Sequence, residues 1–193
     1  MNKITRRRLP VGIQSFKKIR EERYLYVDKS DIVWDLANDM LPALTMRAEG
    51  DIQSIQAQLY LALDTCQLPD AMKSLKALIA DVPNSNKKLA SMDMEERYSL
   101  IISSILNAIG FRTEVEHMLS TGRIDILCIT PHYTYVIELK LSKNGGVAAA
   151  EKQIKDNQYL EPFKADKTRQ VVGLAIELED LGKGLLEWKR VEK

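Results

Sequence analysis

The sequence predicts an α/β fold: a mixed sheet with helices on its faces, preceded by a small helical region. Three observations carry this prediction. From Met94 onward the hydrophobic periodicity runs helix, three strands, helix, strand. The run YVIELKL at 135–141 is apolar on both faces, as a central strand covered from two sides must be. Before this, two helical stripes separated by Leu68-Pro69 make a pair.

Taken in order, residues 9–39 combine a Pro/Gly turn, a charged helical stretch, a short strand candidate at Tyr24–Val27 and a second helical pattern through Ile32, Val33 and Leu36. No piece of this segment is large enough to fold alone. Ile52, Ile55, Leu59, Ala62 and Leu63 share one face of a helix over 51–65. Met72, Leu75, Leu78 and Ile79 do the same in a helix that stops before Pro83. The polar stretch PNSNKKLAS at 83–91 is the most loop-like in the chain and the preferred domain boundary. Met94, Tyr98, Ile101, Ile102 and Ile105 then stripe a helix over 94–108, with Gly110 placed to end it. Strand patterns follow at 112–119, 124–130 and 134–141, then a helix at 147–161 after Gly145-Gly146, then the apolar run from Val171. The organisation expected is 1–39, 40–90 as a helical pair, and 91–193 as the α/β domain.

Composition narrows the function classes. The chain has 193 residues, and 28 Lys and Arg against 27 Asp and Glu leave a net charge of +1, so no global field attracts a polyanion. Nucleic-acid binding would need a local patch, and the basic candidates are Arg6 to Arg8, Lys152 with Lys155, and Lys164, Lys167 and Arg169. Cys66 and Cys128 stand far apart without a CxxC pattern, which excludes a disulfide framework or zinc ribbon and fits a reducing cytoplasm. No apolar run approaches a membrane span, and no GxxxxGK[ST] is present, so no membrane or nucleoside triphosphate partner is expected.

The chemistry concentrates around 125–140. Glu138 and Lys140 lie two apart on a strand that should be buried, so they share a face where unpaired charge costs several kcal/mol. A two-residue loop at Pro131-His132 or His132-Tyr133 sets paired residue numbers to sum to 263 or 265, which puts Asp125 opposite Glu138 or Lys140. Either way the three converge on one side of the sheet. Two carboxylates and an ammonium are the parts of a hard-cation site, while a structural Glu/Lys pair is the competing account. His117 and His132 have no partner at ligand or nucleophile spacing.

Asp125 followed by Glu138-Leu139-Lys140 after a short hairpin resembles the metal-dependent PD-(D/E)XK nuclease core, whose helix, three-strand, helix, strand order is the same. GRID (Gly122–Asp125), IELKL (Ile137–Leu141), QIKDNQY (Gln153–Tyr159) and EWK (Glu187–Lys189) resemble the nuclease module at the C-terminal end of bacterial AAA-ATPase-like proteins. LPVGIQSF and YLYVDKSDIV resemble the extreme N-terminus of the same proteins, and the helical pair resembles their linker. The NTP-binding middle is missing between roughly Asn38 and Leu44. The resemblance implies a restriction-endonuclease-like core and a cytoplasmic, Mg²⁺- or Mn²⁺-dependent phosphodiesterase acting on DNA. Asp125, Glu138 and an acid of the first helix would hold the metal, with Lys140 catalytic. For that acid Glu95 and Glu96 compete: Glu95 lies on the inward stripe three residues before Tyr98, whereas Glu96 sits where a capping box with Asp93 would use it. Glu95 is preferred. Arg123, Gln153 and Tyr159 match substrate-binding or supporting positions, although each also fits an ordinary surface or packing role. Glu116 is expected to be solvated. The alternative is a catalytically silent nuclease-fold module that serves as a nucleic-acid or protein interaction surface, and a homodimer is compatible with either reading.

Overall fold

The computed structural model describes residues 49–80, 93–180 and 184–192. The N-terminal segment expected at 1–39 and the boundary loop at 83–91 lie outside the described residues.

Two helices open the described chain, α1 (Glu49–Asp64) and α2 (Leu68–Ala80), packed on each other. Cys66 takes a left-handed φ of 56°, and Gln67 N–H donates to Ala62 O at 2.7 Å, so α1 ends in the turn that closes orphan carbonyls. Helix α3 (Met94–Ala108) begins at Asp93, whose carboxylate accepts from Glu95 N–H at 3.1 Å. It is followed by β1 (Arg112–Leu119), β2 (Gly122–Ile129) and β3 (Tyr133–Leu141). A 3₁₀ turn (Ser142–Asn144) leads into α4 (Gly146–Asp156), and β4 (Gln170–Leu178) and β5 (Leu185–Val191) complete the fold.

The five strands stand in the order β1-β2-β3-β4-β5, with β3 and β4 parallel and the other neighbours antiparallel. The parallel pair requires a crossover, which α4 supplies. Strand β3 is central and covered twice, as its sequence predicts. Tyr135, Ile137, Leu139 and Leu141 face a core shared with Ile102 and Ile105 of α3 and with Leu59, Leu63, Met72 and Leu75 of the helical pair. Val136 faces Ala150 and Ile154 of α4 together with Tyr159 and Ala175. Burial on both faces selects the near-continuous apolar run.

The helical pair is therefore part of the same core as the sheet. It is also tied polar group to polar group: Tyr135 Oη donates to Leu63 O, and His132 Nδ1 lies 2.9 Å from Asp64 Oδ2. Tyr60 adds a stacking contact on Phe111, with ring centroids 4.7 Å apart.

Two elements differ from the sequence reading. Strand β5 is an addition, because the pattern of Leu185–Val191 buries its two ends, half-buries Trp188 and exposes most of the rest, so it lacks period-two alternation. It is an edge strand, with charged Glu187, Lys189 and Arg190 on it. The helix expected over 147–161 ends at Asp156, since Gln158 adopts a φ of 53° and turns Tyr159 back into the core.

Candidate nuclease site

The hairpin loop is Pro131-His132, and Ile126 pairs with Ile137, which sets the sum at 263 and places Asp125 opposite Glu138. Ladder pairing of β2 with β3 stops at that Ile pair. One residue further the carboxylates take over the backbone donors. Leu139 N–H donates to Asp125 Oδ2 at 2.9 Å, and Asp125 N–H donates to Glu138 Oε1 at 3.3 Å. Each acid is thus aimed by the strand that faces it, and the two side chains are held beside one another where the strands part.

Their environments differ sharply. Asp125 is half-buried and lines an open cleft, whereas Glu138 is 0% exposed and its Oε2 accepts no hydrogen bond. Burial first, the Asp125 charge second and a proton shared with the Asp125 carboxylate third push the Glu138 carboxyl up to about 9, so without a cation it holds a proton at neutral pH. Two carboxyl groups side by side, one of them fully buried, are the hard-oxygen arrangement that a divalent cation satisfies in place of the shared proton.

Lys140 extends from the same face as Glu138, but its nearest acid is Glu95: Nζ lies 3.6 Å from Oε2. Glu95 Oε1 accepts from Leu141 N–H at 3.1 Å and from Asn144 Nδ2 at 2.7 Å. Glu96 is exposed, so helical spacing separates the two acids as expected. Glu95 nevertheless does not complete a three-carboxylate cluster. Among the described residues no three His, Cys, Asp or Glu side chains group as a metal site, and both oxygens of Glu95 are engaged at the end of β3.

The cleft has a volume of about 430 Å³ and is lined by Glu95, Glu96, Glu116, Arg123 and Asp125, among others. Arg123 Nη1 pairs with Glu116 Oε1 at 2.9 Å. Glu116 is solvated as expected, yet it stands in β1 with a left-handed φ of 55°, a conformation that costs a side chain of this size of order 1–3 kcal/mol. Tyr159 Oη donates to Arg123 O at 2.9 Å and accepts from Asn157 Nδ2 at 3.0 Å, fixing the entry to β2 just ahead of Asp125. Gln153 is half-buried on α4, which packs on β3 and β4.

Gly122 lets Tyr159 approach so closely. A Cβ on Gly122 would stand 2.5 Å from Tyr159 Oη, at a φ of 151° that L residues avoid. Gly122→Ala is expected to lower stability by roughly 1–3 kcal/mol, read as a reduced melting temperature. An unchanged melting temperature would show that the tyrosine does not hold this turn.

Several of the other sequence candidates resolve into structural pairs, while Arg6 to Arg8 lie outside the described residues. Lys164 bonds Glu161 and Arg169 bonds Asp166, while Lys155 shares Glu151 with Lys189. His117 pairs with Glu114 and His132 with Asp64. At the N-terminus of α4 the Glu177 carboxylate accepts from Val147 N–H at 3.0 Å. Asn144 is not conspicuous in the sequence; its signal is a polar side chain in the turn immediately after the Glu138–Lys140 strand.

Comparison with known proteins agrees with this architecture. Residues 93–184 match the PD-(D/E)XK nuclease superfamily, and residues 10–48 match the predicted AAA-ATPase family. An uncharacterised protein in the vnfD 5′ region of Azotobacter chroococcum mcd 1 is 28% identical over 127 residues, which are 64% of this chain and 23% of that protein. The chain therefore spans about a quarter of that relative's length. No solved structure matches. With its α/β order, its carboxylates at the parting of β2 and β3 and Lys140 on the same strand face, the module at residues 93–184 is similar to the PD-(D/E)XK nuclease superfamily.

Proposed function

We propose that the protein is a Mg²⁺- or Mn²⁺-dependent phosphodiesterase that cleaves DNA at the Asp125–Glu138 pair. The observation that carries this reading is the fully buried Glu138 carboxyl held beside Asp125, which itself lines an open cleft. Asp125 and Glu138 would hold the cation, which would polarise the scissile phosphate and lower the pKa of a bound water. Asp125 reaches solvent through the cleft, while Glu138 supplies charge from behind it. Lys140 sits on the same strand face and serves to orient the attacking water and offset charge that builds on the phosphate. Arg123, at the cleft wall, is the residue placed to meet a flanking phosphate once Glu116 releases it.

One feature favours the silent-module alternative. The cleft is lined by five acids, Asp93, Glu95, Glu96, Glu116 and Asp125, to one Arg, so the metal-free cleft repels a polyanion. The nuclease reading turns this into a requirement that a cation be present before DNA is engaged.

Calorimetric titration of the full chain with Mn²⁺, together with cleavage of supercoiled plasmid, tests the proposal. Saturable Mn²⁺ binding is expected, lost in Asp125→Ala, with plasmid nicking that requires the metal. Absence of binding, or binding indifferent to Asp125→Ala, overturns it. Metal-dependent DNA association without any cleavage would establish the silent module instead.

A further inference from the structure

We propose that Glu95 and Asn144 form a positioning pair that holds the Lys140 ammonium at the end of β3, rather than Glu95 serving as a metal ligand. This rests on the nuclease reading above and names two residues through which its catalytic lysine is set.

The geometry begins in the turn after β3. Each of its three residues is anchored by a different carboxylate. Ser142 Oγ donates to Glu177 Oε1 at 2.6 Å, Lys143 N–H donates to Asp180 Oδ1 at 3.1 Å, and Asn144 Nδ2 donates to Glu95 Oε1 at 2.7 Å. The turn is closed on its far side by Gly145 and Gly146, with φ values of 95° and 53°, and a Cβ at Gly146 would collide with the Glu177 carboxylate. The platform that presents Asn144 is therefore fixed from several directions.

Glu95 is fixed in consequence. Its Oε1 takes two donors from one short stretch of chain, Leu141 N–H and Asn144 Nδ2, which sets the plane of the carboxylate and points Oε2 at Lys140. A lysine has a flexible four-carbon stem and about 2 kcal/mol of rotamer entropy, so an anion at a set point selects one arrangement from many. The Lys140 side chain is 19% exposed, and its ion-pair partner is Glu95 instead of the Asp125–Glu138 pair. The Lys140 ammonium, although it still feels the Glu138 charge, is therefore tethered by a carboxylate outside the Asp125–Glu138 pair. Small misplacements of a catalytic group carry large rate costs, which is the reason for building such a support.

Two positions of the full chain, varied and assayed with Mn²⁺ and supercoiled plasmid, test this. Asn144 is exposed, so Asn144→Ala should fold normally, and kcat should fall about tenfold with KM and Mn²⁺ affinity nearly unchanged. Asn144→Gln, which keeps the amide donor, should recover most of that loss. Glu95→Gln keeps an acceptor for Leu141 and Asn144 but removes the charge that faces Lys140. It should lose at least as much kcat while still binding Mn²⁺. Loss of Mn²⁺ binding in Glu95→Gln would make Glu95 a ligand and overturn the inference, as would wild-type kcat in both Asn144→Ala and Glu95→Gln. A wild-type protein that neither binds Mn²⁺ nor cleaves overturns the nuclease reading itself, and this inference with it.

Discussion

Lys140→Met is expected to reduce DNA cleavage about 10²- to 10⁴-fold while Mn²⁺ binding persists, the range spanned by losing a positioned proton-transfer or charge-stabilising group. Methionine keeps an apolar stem of similar length and removes only the charge. The structure makes the stability side of the experiment tractable. The ion-pair partner of Lys140 is Glu95, at 3.6 Å, and Glu95 retains Leu141 N–H and Asn144 Nδ2 after the change. The orphaned acid is also partly exposed, so the cost should stay near 1–2 kcal/mol, well below the several kcal/mol of breaking a fully buried pair. A structural Glu/Lys pair would show the reverse pattern, a large fall in melting temperature with no change in cleavage. Full activity in Lys140→Met would refute the proposed role.

Much of this site is legible in one strand. YVIELKL reads as central because its apolar residues occupy both faces, and Glu138 and Lys140 are conspicuous because burial makes charge expensive there. The hairpin needs only loop length: with Pro131-His132 as a two-residue turn, the pairing sum is set and Asp125 must face Glu138. Helical spacing likewise separates Glu95 from Glu96, since residues three apart share a face and the Tyr98 face is buried. Other features were not legible for physical reasons. Strand β5 has too few alternating apolar positions, because an edge strand buries little. The end of α4 depends on Gln158 adopting a left-handed conformation, which no local pattern announces. The engagement of Glu95 depends on Asn144 and Leu141, 49 and 46 residues away, and only the fold brings them together. The same holds for Arg123, whose partner Glu116 lies across the β1–β2 hairpin.

The metal-free protein should lose stability from Glu138 as pH rises from 6 to 9, and this contribution to the slope should be absent in Glu138→Gln. The folded-state pKa of Glu138 is raised to about 9 from an ordinary 4.5, chiefly by burial and then by the charge of Asp125. Between those two values the folded protein keeps a proton that the unfolded chain has released. Stability from this group is therefore fully present below about 4.5 and is lost as pH climbs through about 9. At roughly 1.4 kcal/mol per pH unit, the change across the window amounts to several kcal/mol. Acids held low by hydrogen bonds, Glu177 by Ser142 and Glu114 by His117, titrate below this window. The Glu138→Gln variant keeps a neutral amide in the pocket without a titrating proton, so comparing the two proteins isolates the group. The same proton must leave before a cation can be held, so Mn²⁺ binding near pH 7 should release about one proton and tighten as pH rises. Melting curves of wild type and Glu138→Gln from pH 6 to 9, with Mn²⁺ calorimetry in two buffers of different ionisation enthalpy, measure both effects. A pH-independent difference between the two melting temperatures, or Mn²⁺ uptake without proton release, would mean that Glu138 is already ionised in the metal-free fold.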